Sequence, residues 1–323
     1  MNMTHLATVT MAMLVVIAVD PIAAAQNDHC AAVTESVSEA GFDTRVTVSC
    51  TDSHAIIHSD TYPNHEKMTG IVGTNEQIPV PAEYSAPIIL SPTLSTTPLT
   101  RDAALGVAVN GVPIYDYTAG GEMTQQDLNH HQAHLDTLQT GQLDVCGGHT
   151  GRGDDYHYHA KPSCMIAQMA NAEKDPIIGW AFDGFPIYGD NNPDGSSISQ
   201  GDLDLCNGQP DEDFGYRYHT SADAPYIVQC LRGEVADFDR LPRVRPLLKE
   251  DGGGAAPGRP PRGGVQDLVF TESKDGSRRM DYTYMGEDYY IGYIPSTKPG
   301  CYNFSTRTVT NDGKIHTGEY CRR

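Results

Sequence analysis

The sequence predicts a mainly β fold, with duplicated β-hairpin units forming a sandwich or barrel and a short helical insert. Three observations carry that expectation. Blocks of turn and strand recur in the same order, Tyr and His alternate as a half-buried strand requires, and eight cysteines fall into near pairs.

Taken in order, the chain opens on a mostly apolar run, Leu6 to Val19, followed by Asp20-Pro21 and by Ala23-Ala24-Ala25 ahead of Gln26. Residues 1–25 therefore predict a signal peptide, although Lys and Arg are absent from its start. No later run is long and apolar enough to cross a bilayer, so a secreted or periplasmic protein without membrane insertion is expected. Cys30/Cys50, Cys146/Cys164, Cys206/Cys230 and Cys301/Cys321 are the near pairs, and in an oxidising compartment spacing favours four disulfides over a thiolate metal site. The net charge of −20 excludes nucleic acid and anionic membrane as natural partners, because like charge repels at both surfaces.

After an N-terminal segment (26–54), residues 55–235 form the expected main domain. Within it GVAVNGVPIY at 106–115 answers GWAFDGFPIY at 179–188, an offset of 73. LDVCGGH at 143–149 answers LDLCNGQ at 203–209, and YHYH at 156–159 answers YRYH at 216–219, both offset by 60. The two copies span 105–164 and 178–230. Each reads as strand, Asn-Gly or Asp-Gly turn, strand, connection, Cys-containing turn and Tyr-rich strand. The extra residues of copy one carry the helix expectation: Thr124 can cap its start, Gln125 to Gln139 lack Gly and Pro, and Gly141 can end it. Residues 240–265 are rich in Gly, Pro and Arg and read as a linker. Residues 266–323 predict a Tyr-rich β segment of two or three strands, with a turn at Asn311-Asp312-Gly313.

These blocks resemble the YHYH-domain family, exported proteins named for that tetrapeptide. The resemblance runs from Tyr62-Pro63-Asn64-His65 through GVAVNGVPIY, DVCGGH, YHYH and GWAFDGFPIYG to PYIVQCLRG at 225–233. It implies the domain and leaves the reaction unnamed, since no general biochemical function is attached to the family.

The histidines carry the chemistry. On a strand His157 and His159 point one way and Tyr156 and Tyr158 the other, and the Gly-rich turn after His149 can fold it back beside them. Three nitrogens suit Zn or Cu, with Asp144, Asp154 and Asp155 as acceptors that orient the rings. The rival account is a buried polar network without metal. The repeat ranks the candidates: Tyr-x-Tyr-His recurs and is scaffold, whereas His149 and His157 become Gln209 and Arg217 in copy two. His219 is a further candidate if it faces His159 across a two-fold axis. His130 and His134 share a face of the expected helix, where with His131 they are either ligands or a solvated surface. Asp190, Asn192 and Asp194 before Gly195 match the start of a Ca loop, but Gly201 stands where the motif needs Glu, and Asn-Pro-Asp-Gly is equally a plain turn.

No nucleophile elbow, phosphate loop, dinucleotide fingerprint or HExxH pattern occurs. The expected function is an exported metal-binding protein acting as a binding or envelope module toward an unidentified small-molecule or extracellular partner. A metal-dependent hydrolase or copper oxidoreductase using the same histidines, and a metal-free recognition module, are the alternatives.

Overall fold

The computed structural model describes residues 21–73, 77–199, 201–249, 261 and 263–322. The fold is mainly β, with a few helices and four sheets. Most of the expected signal peptide, and residues 250–260 and 262 of the expected linker, lie outside the described residues.

Helix α1 (Pro21–Glu39) carries Val33, Ser36 and Val37, with Ala40 just beyond its end, on one stripe at helical spacing, and all four are buried. Ser36 Oγ accepts the indole N–H of Trp180 at 2.9 Å, which ties the helix to the centre of the main sheet. The Cys30–Cys50 disulfide joins α1 to a three-stranded antiparallel sheet of β1 (Thr47–Cys50), β2 (His54–Ser59) and β3 (Tyr84–Ile89). Strand β4 (Leu94–Leu99) leads into the repeat.

Copy one provides β5 (Gly106–Ala108), β6 (Pro113–Ile114), β7 (Gly148–Thr150) and β8 (Tyr156–Tyr158), followed by the short helix α2 (Ser163–Gln168). Copy two provides β9 (Ile177–Ala181), β10 (Pro186–Tyr188), β11 (Gly208–Asp211) and β12 (Gly215–His219). All eight strands form one sheet in the order β11-β12-β10-β9-β5-β6-β8-β7. This order is palindromic: each copy contributes the same four strands, and the copies meet where β5 pairs antiparallel with β9. Val107 sits opposite Trp180, its own counterpart at the offset of 73, so a local two-fold axis passes through that pair.

Joining the copies at β5 and β9 turns both β7–β8 and β11–β12 hairpins outward. The sheet therefore ends at β11 and β7, and none of the four sheets closes into a barrel. The barrel alternative expected from the sequence is thus not realised.

The helix expected over 125–139 is also absent. Only Asp127–Asn129 makes a 3-10 turn, and His130 is already extended (φ −139°, ψ 123°). Residues 117–119 compete for the backbone: Ala119 N–H donates to Leu135 O, Thr137 N–H to Tyr117 O, and Gln132 N–H to the Tyr117 hydroxyl. The carboxylate of Asp136, fully buried, accepts from Gln139 N–H and from His131. Tertiary partners outweigh the weak helical preference of so short a run.

Strand β13 (Leu231–Gly233) returns to pair with β4. The C-terminal unit is an antiparallel six-stranded sheet of β14 (Leu248–Lys249), β15 (Gln266–Glu272), β16 (Arg278–Tyr284), β17 (Glu287–Pro295), β18 (Cys301–Arg307) and β19 (Ile315–Cys321), ordered β14-β19-β18-β17-β16-β15. It has more strands than expected, because β14, β15 and β19 lie outside the Tyr-rich stretch that carried the expectation. It docks on the main body through Tyr293 Oη to Pro79 O (2.8 Å) and through Glu272, which accepts from Tyr62 Oη (2.5 Å) and from Lys67 Nζ (2.9 Å).

All four disulfides follow the near-pair expectation, and no cysteine is free. Loops of this size contribute roughly 3 kcal/mol each by constraining the unfolded chain. Four disulfides fit an oxidising, extracytoplasmic compartment. No helix among the described residues is long and apolar enough to cross a membrane.

Candidate metal centre

The site is built by the β7–β8 hairpin. His149 on β7 lies directly opposite His157 on β8, and antiparallel partners hold their Cβ atoms about 5 Å apart. His159 follows β8 and is fixed by its own N–H, which donates to Gly147 O at 3.0 Å. The three imidazoles thus meet on one face, with ring centroids 4.8–5.0 Å apart. They are 8, 4 and 3 % exposed, and one donor atom from each lies within 4.8 Å of the other two.

Each ring has its Nδ1 on a backbone carbonyl. His149 Nδ1 donates to Gln142 O (3.0 Å), His157 Nδ1 to Asp155 O (3.2 Å) and His159 Nδ1 to Asp116 O. Carbonyls only accept, so these nitrogens carry the protons and a neutral ring leaves Nε2 as a bare lone pair. His149 Nε2 and His159 Nε2 then face each other at 3.1 Å, two acceptors without a donor between them. Burial, with the neighbouring His157 adding to it, pushes His149 down to about 3; burial and its His neighbours hold His159 well below the ordinary imidazole value. Neither ring takes a second proton readily near neutral pH.

Tetrahedral Zn with nitrogens at about 2.0–2.1 Å separates adjacent ligands by about 3.3–3.4 Å. The 3.1 Å separation of the first two nitrogens is already close to that. The donor set fits a borderline cation such as Zn or Cu, and the Nδ1 contacts provide the outer hydrogen bonds that such sites use. Tyr115 stacks on His157 at 4.1 Å, and Gly151 also lies against the ring: a Cβ there would fall 2.6 Å from His157 Cε1.

Copy two repeats the frame with a different filling. His219 Nδ1 donates to Gly189 O at 2.9 Å, and Gly189 is the counterpart of Asp116. Its Nε2 accepts from Gln209 Nε2 (3.1 Å) and Arg217 Nε (3.0 Å), the residues standing where copy one has His149 and His157. Arg217 continues to Asp211 Oδ2 (2.7 Å) and Asn192 Oδ1 (2.8 Å). His219 Nε2, Asp211 Oδ2 and Asn192 Oδ1 therefore each meet a donor of the chain itself, and the positive charge is a guanidinium.

The tyrosines are scaffold in both copies. Tyr156 Oη donates to Asp144 (2.8 Å) and Tyr216 Oη to Asp204 (2.8 Å), and each carboxylate also caps the following Cys and Gly N–H groups. Gly148 and Gly208 let these rings pass: a Cβ would lie 2.6 and 2.2 Å from the respective hydroxyls. Tyr158 Oη donates to His65 Nε2 (2.7 Å) and accepts from Asn110 (2.9 Å), while Tyr218 Oη donates to Asp183 (2.5 Å).

Some expected roles move. Of the three aspartates expected to orient imidazoles, only Asp155 does so: its carbonyl accepts from His157 Nδ1, and its carboxylate is 3.6 Å from that nitrogen. Asp144 serves Tyr156, and Asp154 accepts Leu247 N–H at 3.1 Å. His219 does not face His159, because β12 and β8 are five steps apart in the sheet, about 24 Å at the usual strand spacing. It cannot complete the same ion. His130 and His134 lose their common helical face, are exposed, and stand outside the three-histidine group. The Asp190 carboxylate faces Lys161 (2.5 Å) and Thr220, Asn192 Oδ1 accepts from Gln209 and Arg217, and Asp194 Oδ1 holds Ser196. These oxygens are engaged in one ion pair, a turn and side-chain hydrogen bonds, as the plain-turn alternative expects. His65 also lies near Cys146 and Cys164, but those sulfurs form a disulfide, so no thiolate is present there.

The acceptors Asp116 O and Gln142 O and the Tyr115 stack had no signal in the residue pattern. A backbone carbonyl can be any residue, so only the fold reveals it.

Among known proteins, the family model described as YHYH protein matches residues 84–198. The match begins at β3, contains all of copy one and ends after β10. Searches of curated proteins and of solved structures gave no match.

Proposed function

We propose that this chain, which carries a YHYH family domain over residues 84–198, binds one Zn or Cu ion at His149, His157 and His159. It would do so as a secreted or periplasmic binding or envelope module. The observation that carries the reading is the copy-to-copy exchange. Where copy two aims Arg217 and Gln209 donors at His219, copy one aims two further imidazoles at His159, and the lone pairs left facing each other call for a cation. A proton is the rival occupant, and burial of His149 and His159, the two rings whose Nε2 atoms face each other, works against an imidazolium there.

A bound ion would supply Lewis acidity and hold the hairpin closed. The chain contributes three nitrogens fixed by carbonyls and a stacked Tyr115 that shields His157. Burial of the rings favours binding over turnover, because an enzyme needs an open position that substrate can reach. The test is elemental analysis of untagged protein purified under metal-replete conditions, beside H149A and H157A. One equivalent in the wild type and loss in both variants is expected. Wild-type protein without stoichiometric metal refutes the reading.

A further inference from the structure

Just past the C-terminal sheet, Arg322 reaches the loop beside His157. Arg322 follows Cys321 of β19, and its guanidinium donates to five carbonyls from three separate segments. Nε donates to Pro81 O at 2.9 Å. Nη1 donates to Gly153 O (2.8 Å) and Arg245 O (2.7 Å), and Nη2 to Val80 O (2.7 Å) and Asp154 O (3.1 Å). A guanidinium has five N–H groups in a fixed fork, so this pattern uses its full donor capacity.

Two of those carbonyls, Gly153 O and Asp154 O, belong to the turn that positions the ring. Gly151 O accepts Asp154 N–H (3.0 Å), Asp155 O accepts Gly151 N–H (3.3 Å), and Val80 N–H donates to Asp154 O (2.8 Å). Asp154 has φ +56°, a left-handed conformation uncommon for non-glycine residues. From this turn Asp155 presents its carbonyl to His157 Nδ1, and Gly151 lies against the ring at Cε1. The link from Arg322 to His157 is thus one turn of chain, closed by the backbone hydrogen bonds of Gly151, Asp154 and Asp155.

We propose that Arg322 is a positioning residue for His157, so that docking of the C-terminal sheet and ion binding at the three histidines stabilise each other. The inference rests on the metal reading above and assigns the C-terminal unit a task in it. Removing a direct hydrogen-bond partner of a ligating histidine lowers metal affinity by about 10- to 100-fold, and Arg322 acts one turn further out, so the loss lies at the low end, about 10-fold. Coupling is reciprocal, so the ion in turn protects the sheet that carries Arg322.

The experiment uses the full chain as wild type, R322M and R322K. Zn affinity is measured by competition with a chromophoric chelator, the Cu(II) form is examined by electron paramagnetic resonance, and amide exchange is followed with and without Zn. The expected result is one site in each protein, about 10-fold weaker in R322M. Its Cu(II) spectrum changes, and Zn slows exchange over 315–322 in wild type but not in R322M. R322K keeps the charge but has only three donors, so it falls between, and it carries the test if R322M does not fold. Wild-type affinity and an unchanged spectrum in the variant overturn the positioning role alone. Absence of metal from the wild type overturns the metal reading and this inference together.

Discussion

The equivalence of the two copies predicts that copy two can be converted into a second metal site. Gln209→His and Arg217→His would place imidazoles where copy one has His149 and His157. A third change is needed, because position 211 corresponds to Gly151, whose missing Cβ makes room for the His157 ring. Asp211→Gly also removes a carboxylate that would lose its Arg217 partner, and deleting both members of a buried pair is far milder than deleting one. The main residual cost is at Asn192 Oδ1, which loses donors from Gln209 and Arg217 and should cost about 1–3 kcal/mol without metal. An ion at 100 times its dissociation constant returns about 2.7 kcal/mol. The triple variant should therefore melt below wild type without metal, shift further upward with Zn, and bind two equivalents by elemental analysis and titration. A folded triple variant that still binds one equivalent would refute the claim that the guanidinium stands where the ion sits.

Other outcomes follow from the same geometry. G148A forces a Cβ to within 2.6 Å of Tyr156 Oη, and G208A to within 2.2 Å of Tyr216 Oη. Each should cost about 1–3 kcal/mol in denaturant melts, but only G148A should weaken metal binding. Burial lowers His219 to about 4, so between pH 6.5 and 4 the unfolded chain takes up a proton there that the folded chain refuses. Stability from this residue is complete above pH 6.5 and falls by up to about 3 kcal/mol on acidification through that window. The slope of stability against pH should flatten by that amount in H219Q, and an unchanged slope contradicts the assignment.

What could be read from the sequence was what periodicity and spacing encode. Tyr-x-Tyr-His and its echo at 216–219 located the hairpins, and near-pair spacing gave the disulfides. The open sheet was not legible, because closure depends on which strands meet, and β5–β9 pairing is a long-range choice. The 125–139 stretch misled for a similar reason: its lack of Gly and Pro permits a helix, while Tyr117 and Asp136 decide against one. His157 could be nominated from its non-recurrence, but Arg322, 165 residues further on, could not be connected to it.

The two-fold axis through Val107 and Trp180 has a further consequence. It sets two nearly identical wings on one sheet, and they differ in where their positive charge comes from. One wing has its cation attached covalently, as the Arg217 side chain, so its cohesion is independent of the medium. The other, on the proposed reading, must draw its cation from outside. Chelation should then loosen only the β7–β8 end, leaving β11–β12 as an internal standard within the same molecule.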